Sequence, residues 1–331
     1  MATIYDVAKL AGVSHTSVSA VLNNRSVRVG DETRKRILDA AKSLGYRANR
    51  AAQQLATGKF NAIALCFKRT GQHIFESPAS TRMIAGVMHS ASENGLNVIF
   101  APTRPVYKFE ETINSLPSHG VDGGVVIGPI PLAKKGVQVI NESSTPLVII
   151  DSHPGFVSAG TVDTDNFAGM RKGVEHLISN GHKKMAYIAP APEFACLLDR
   201  MRGFYQAVQD AGLSLGDQMT HIVPLEDVPA RVRQSVEATN GPTALVCADA
   251  AVAQAVLDEV LKLGLTIPGD LSILIYDDVP GHALLESTNI IRSDAFGTGK
   301  AAGDLLKKLI DGECSGPISV RLPAELLMRA C

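Results

Sequence analysis

From residue 61 onward the chain repeats one alternation, a short continuous apolar run followed by a segment with helical periodicity. The runs are "AIALCF" (62–67), "NVIFAP" (97–102), "GGVVIGP" (123–129), "PLVIID" (146–151), "KMAYIAP" (184–190), "THIVPL" (220–225), "ALVCAD" (244–249) and "LSILIYD" (271–277). Between most of them lie amphipathic stretches such as Thr81–Asn94, Phe167–Asn180, Arg200–Ala211 and Ala251–Leu263. A strand that is apolar at every position is buried on both faces, which requires helices on both sides of a parallel sheet. Eight such units either close into a barrel or divide into two doubly wound sheets, and the alternation alone does not choose. With 331 residues, 45% of them hydrophobic, the chain can fill two or three cores.

The charge is divided along the same boundary. Residues 1–59 carry ten Lys/Arg against four Asp/Glu, a net of +6, and the remainder carries 22 against 29, a net of −7. A basic head on an acidic body suits a protein of which only the head meets a polyanion. The five Cys (66, 196, 247, 314 and 331) show no Cys-x-x-Cys spacing, so neither a disulfide framework nor a zinc site is expected. The start "MATIYDVAKL" has an early acid and no apolar core of a leader, and no run approaches a membrane span. A cytoplasmic protein is expected.

Within the head, Thr3 and Asp6 fit a capping box, and Tyr5, Val7, Ala8 and Ala11 give a short apolar face. Gly12 can close that helix in a left-handed turn, after which Ser14 caps a second helix. Val18, Val21 and Leu22 are expected inside that helix, with His15, Thr16, Ser19 and Ala20 outside. Asp31–Leu44 reads as a third helix with Ile37, Leu38, Ala41 and Leu44 buried and Gly45 closing it. Two helices joined by so short a turn form a helix-turn-helix, whose second helix enters the major groove of DNA.

The segments "TIYDVAKLAGVSHTSVSAVLNN" and "TRKRILDAAKSLGYRANRAAQQLATGK", at their observed separation, resemble the DNA-binding head of the lac/galactose repressor family, nearly without gaps over residues 2–59. The resemblance implies that His15, Thr16 and Ala20 read base edges and that Ser17 and Ser19 touch phosphates. It extends the DNA-facing set to Thr3, Tyr5, Ser14, Asn23, Asn49 and Ala52. Relatives often carry Arg where this chain has Ala20, and an alanine offers only apolar contact, so a different operator half-site is expected. The stretch "NRAAQQLA" (49–56) is too short to stand alone as a helix and should order only when held. In the resembled family it is held in the minor groove, where Leu55 would wedge into a base step. Position 48 is Ala where relatives usually have Pro, which removes a fixed φ at the entry to that segment.

Further on, "GHKKMAYIAP", "RMRGFYQAVQDAGL", "IPGDLSILIYDD" and "LPAELLMR" resemble the effector domain of the same family, which shares the two-lobed fold of periplasmic sugar-binding proteins. The expected architecture is a small all-α helix-turn-helix head (1–46), a hinge segment (47–59) and an α/β two-lobed effector and dimerisation domain (60–331). Ligands of open α/β sheets bind at the carboxyl ends of strands. Asp151, Asp249 and Asp277 end strands, Arg200 is expected to open a helix, and all four match effector positions of the family. Three acids and one Arg suit a polyhydroxylated, sugar-like ligand. The chain has no Trp, so Phe75 and Phe194 are the candidate stacking platforms. Asp278 reads as a capping or solvated loop residue.

An enzyme is not expected. In Asp151-Ser152-His153 adjacent side chains point to opposite faces and cannot converge as a triad. Gly297-Thr-Gly299 precedes a helix, but no phosphate loop follows a strand, and the nine His include no metal-binding spacing. No cofactor or metal is implied. A sugar-binding protein of transport is disfavoured by the basic head and the absent leader. The reading is an effector-controlled transcription factor, acting as a repressor and homodimer on a pseudo-palindromic operator. No heptad extension follows "LPAELLMRA", which favours a dimer over a coiled-coil tetramer.

Overall fold

The computed structural model describes residues 2–22, 29–46, 58–67, 77–102, 109–128, 134–151, 158–192 and 194–329. The chain forms two units, Met1–Phe60 and Asn61–Cys331. Asn23, Asn49, Ala52, Leu55 and Phe75 lie outside the described residues.

The first unit holds helices α1 (Ile4–Ala11), α2 (His15–Leu22) and α3 (Asp31–Ser43). The capping box is present: the Asp6 amide donates to Thr3 Oγ1 (3.3 Å) and the Thr3 amide to Asp6 Oδ2 (2.8 Å). Gly12 ends α1 at φ 63°, where an L side chain would be strained. Ser14 Oγ accepts the Ser17 amide at 3.1 Å and so satisfies an open donor of α2. Val7, Val18, Val21 and Ile37 meet in a small core with Ala8, Ala11, Ala40 and Ala41.

Four expectations for the head fail. Tyr5, read with Val7, Ala8 and Ala11 as one apolar face, is 66% exposed and stays outside the core. Leu38 is 49% and Leu44 37% exposed, because the buried stripe of α3 runs through Ile37, Ala40 and Ala41, and Leu38 is rotated about 100° from Ile37. Ala20, expected outside, is only 9% exposed. It adjoins the buried Val21 on α2, at the edge of the face that Val18 and Val21 turn inward.

In the second unit, the first sheet has strand order β11-β5-β4-β3-β1-β2 and the second β12-β10-β9-β8-β6-β7. The strands of the first are β1 (Ala62–Phe67), β2 (Asn97–Pro102), β3 (Gly123–Ile127), β4 (Leu147–Ile150), β5 (Gly160–Thr164) and β11 (Ser319–Leu322). Those of the second are β6 (Met185–Ala189), β7 (Met219–Ile222), β8 (Ala244–Cys247), β9 (Ser272–Tyr276), β10 (Asn289–Ser293) and β12 (Ala324–Leu327). All described pairings are parallel except that of β12 with β10. The fold is thus two doubly wound sheets, and no barrel closes.

Helices cover the sheets: α4 (Pro78–Glu93), α5 (Phe109–Ser115), α6 (Lys134–Glu142), α7 (Asn166–Ser179), α8 (Ala195–Asp210), α9 (Val228–Glu237), α10 (Ala250–Lys262) and α11 (Ala295–Asp311). The core of the first lobe joins β1, β3 and β4 to α4 and α11, and that of the second joins β6, β8 and β9 to α7 and α8. A further cluster seats α9 and α10 on the other face of the second sheet.

The chain crosses between lobes three times, from β5 to α7, from β10 to α11 and from β11 to β12. Asp165 and Asp294 cap the helices after the first two crossings, accepting the amides of Ala168 (3.0 Å) and Gly297 (2.8 Å). The lobes thus repeat one design, with β4 and β9 in equivalent places.

Candidate functional site

Asp151 and Asp277 follow β4 and β9 directly and share an unusual backbone, with φ of 57° and 66°. A non-glycine residue in this region is strained, and such strain collects at sites where a side chain must be aimed. Asp277 Oδ1 accepts both the Ser293 hydroxyl (2.6 Å) and the Ser293 amide (3.0 Å). Its Oδ2 faces Arg200 Nη2 at 3.9 Å.

Arg200 lies in the second turn of α8 and does not open it, because helical sequence already begins at Ala195. It is buried. Its Nε donates to Asn166 Oδ1 and its Nη1 to the Ala248 carbonyl, both at 2.8 Å. Its guanidinium carbon stands 3.6 Å from the centre of the Tyr276 ring. Burial opposes the charge, but Tyr276, Cys196, Asp277 and Asp151 outweigh it and raise the pKa above the ordinary guanidinium value. Nη2 keeps donor capacity beyond the long approach to Asp277, so the fork can serve a hydroxyl or carboxylate.

Beside this network is a cavity of about 610 Å³, lined among others by Arg82, Asp249, Gln254, Asp277, Asp278 and Arg292. Of the expected effector residues, Asp249 and Asp277 line it; Arg200 stands outside the lining, facing Asp277 Oδ2, and Asp151 also lies outside it. Asp249 also caps α10, its Oδ1 accepting the Val252 amide at 2.8 Å, so the capping role open to it is filled. Phe194 precedes α8 and leans on the second lobe's core, outside the lining of the cavity.

Asp278 is not a solvated loop residue. Its side chain is 9% exposed and held by Arg292 through Nε (3.0 Å) and Nη2 (3.1 Å), because β10 presents Arg292 next to the end of β9. Arg82, on α4 in the first lobe, reaches Asp278 in the second at 3.5 Å. Sequence reasoning passed over Arg82, Asn166, Arg292 and Ser293, since their partners lie far away in the chain. Arg82 is 49% exposed, so Arg82→Gln should change unfolding free energy by less than about 1 kcal/mol. The same variant should enlarge the radius of gyration in small-angle scattering by freeing the lobes. An unchanged radius would show that the ion pair holds nothing.

Burial raises the Asp151 pKa to about 6, with Asp163 adding to the shift, Arg200 opposing it and Asp277 adding further. The folded protein therefore binds this proton more tightly than the unfolded chain does. The resulting stabilisation is complete below the ordinary carboxylate value and is lost as pH rises through about 6. Asp151→Asn should flatten the fall of the urea midpoint between about pH 4 and 7, and equal slopes in variant and wild type would contradict the assignment.

In the head, Thr3, Tyr5, Ser14, His15 and Thr16 are exposed, and Ser17 and Ser19 are half-buried. Tyr5 and His15 are neighbours, their ring centroids 5.2 Å apart. Ser14 Oγ lies 2.7 Å from Thr16 Oγ1 and 2.9 Å from Ser17 Oγ, which gathers three hydroxyls at the start of α2. Hydroxyls and ring nitrogens at a helix N-terminus can meet phosphate oxygens and base edges.

Residues 3–49 match the family of bacterial regulatory proteins, lacI family, and residues 174–330 match the periplasmic binding protein-like domain. The HTH-type transcriptional regulator CelR of Thermobifida fusca is 28% identical over 338 residues, covering 99% of this chain and 97% of that protein. The structure of a transcriptional regulator CelR–cellobiose complex superposes with a TM-score of 0.71 at 25% identity, over 99% of both chains. The Lac repressor dimer bound to operator and the anti-inducer ONPF shares the fold, with a TM-score of 0.79 at 23% identity over 99% of this chain and 98% of that one. With both domains matched in order along its length, the chain belongs to the lacI family of bacterial regulatory proteins and is a DNA-binding transcriptional regulator.

Proposed function

We propose that the protein is a repressor that binds a pseudo-palindromic operator as a homodimer and is controlled by a small polyhydroxylated, sugar-like effector. The observation that carries the effector reading is the buried Arg200 beside Asp277, next to a cavity of about 610 Å³. That volume suits a mono- or disaccharide, and the aligned acid and guanidinium match hydroxyl groups that donate and accept. The similar CelR structure is a complex with cellobiose, which supports the same ligand class here.

On the DNA side, the proposed base contacts are His15 and Thr16, with Ser17 and Ser19 on phosphates and Thr3, Tyr5 and Ser14 flanking them. Ala20 is buried and is assigned to the packing of the head. Asn23, Asn49, Ala52 and Leu55 complete the proposed set, with Leu55 as the minor-groove wedge. The dimer is supported by the Lac repressor dimer–operator structure and by exposed apolar residues of the first lobe, Met88, Ile99 and Phe100. Among the described residues no helix is long and apolar enough to cross a membrane, and the proposed operator partner supports a cytoplasmic site of action.

Two assays on the full chain test this. Selection from a randomised DNA pool should enrich two inverted half-sites, and a thermal-shift panel of sugars and nucleosides should return a sugar. Enrichment of a single unpaired site would contradict the dimer, and a nucleoside as the stabilising ligand would contradict the effector class.

A further inference from the structure

Two lobes joined by three short crossings move against each other only through those crossings. Two of the three are bonded to one pair of side chains. Asn166, buried at the start of α7, follows the first crossing; its Oδ1 accepts Arg200 Nε at 2.8 Å and its Nδ2 donates to the Thr164 carbonyl at 3.0 Å. Ser293, buried at the end of β10, precedes the second crossing and gives both its hydroxyl and its amide to Asp277 Oδ1. The third crossing is fastened to the first through backbone, the Asp165 amide donating to the Leu322 carbonyl at 2.8 Å.

Resting on the reading of Arg200 and Asp277 as effector contacts, we propose that Asn166 and Ser293 are positioning residues that bind this pair to the first and second crossings. Asn166 lies outside the lining of the cavity, whereas Ser293 is part of it, with its hydroxyl already given to Asp277. Asn166 fixes the plane of the guanidinium at Nε, on the edge that also carries Nη2, and a guanidinium fixed in plane presents its remaining donors in one direction. Ser293 occupies Oδ1 of Asp277 and leaves Oδ2 for a ligand hydroxyl. A ligand that draws on Nη2 or Oδ2 therefore pulls on groups whose other bonds end at the two crossings. Effector occupancy is registered at both crossings together, with no intervening chain of contacts.

Hydrogen–deuterium exchange of the full chain without ligand tests the arrangement. Asn166→Leu should speed exchange about tenfold over residues 165–169 and leave residues 290–296 as in wild type. Ser293→Ala should do the reverse, and Arg200→Ala should loosen both segments. Asn166→Asp keeps an acceptor for Arg200 Nε but loses the donor to the Thr164 carbonyl, so it should restore protection at the first crossing in part. Uniformly faster exchange across the second lobe in Asn166→Leu, or unchanged exchange at both crossings in Arg200→Ala, would overturn the proposal. No sugar enters this measurement, so its outcome is separate from whether the cavity binds one.

Discussion

Replacement of Arg200 by alanine is expected to abolish the response to effector while operator affinity without ligand stays within about twofold of wild type, since every observed partner of Arg200 belongs to the second unit. The alanine leaves Asn166 Oδ1 and the Ala248 carbonyl without their donor and removes the cation stacked on Tyr276. Uncovering buried partners in this way costs folding stability of about 3 kcal/mol, which the remaining core should tolerate. Loss of a charge-assisted contact of similar size in the ligand complex corresponds to on the order of a hundredfold in affinity. Arg200→Lys separates the two effects. It keeps the charge but cannot donate at once to Asn166, Ala248 and a ligand, so binding should fall with a smaller loss of stability. Calorimetric titration with the sugar found by thermal shift reads the first, and urea denaturation the second. Full ligand affinity in Arg200→Lys would show that the fork geometry is unused.

The second large effect is expected at Gly299, where α4 and α11 meet backbone to backbone. A Cβ at Gly299 would stand inside the van der Waals radius of the Met83 carbonyl oxygen, and one at Gly86 inside that of the Phe296 carbonyl. Helix propensity alone favours alanine over glycine by about 1 kcal/mol. Here the opposing atoms are main chain and cannot rotate aside, so the helices must part and loosen contacts along the first lobe's core. Overpacking typically costs about 1–3 kcal/mol, occasionally more, and rigid backbone neighbours put Gly299→Ala at or above about 3 kcal/mol. Gly216, whose added Cβ would meet only Ser214 Oγ at 3.6 Å, is the control, and Gly216→Ala should stay within about 0.5 kcal/mol. Urea midpoints of both variants decide it. A neutral Gly299→Ala would mean that the helices separate without cost.

Strands β1 to β4 and β6, β8 and β9 were legible because most are apolar at every position, the signature of a sheet covered on both faces. β5, β10, β11 and β12 were not, because residues such as Asp163, Arg292, Arg321 and Glu325 break their apolar runs. β11 and β12 sit at sheet edges, where one side needs no apolar cover. The acids at strand ends were legible for the same topological reason that ligands bind there. Their left-handed backbone was not, since Asp rarely adopts it without tertiary support. Arg82, Asn166 and Ser293 escaped because each takes its meaning from a partner or crossing that appears only once the lobes are assembled. In the head, Leu38 and Ala20 show the limit of reading helical faces by residue type, since a rotation of one position exchanges inside and outside.

Occupancy of the cleft is expected to control the hold of the head on DNA. Fluorescence anisotropy titration of the selected operator, with and without the saturating sugar identified by thermal shift, reads that control. Operator affinity should change by about tenfold or more, equal to a coupling free energy of about 1.4 kcal/mol, and should not change in Arg200→Ala. Identical operator affinity with and without a sugar that demonstrably occupies the wild-type protein would contradict it.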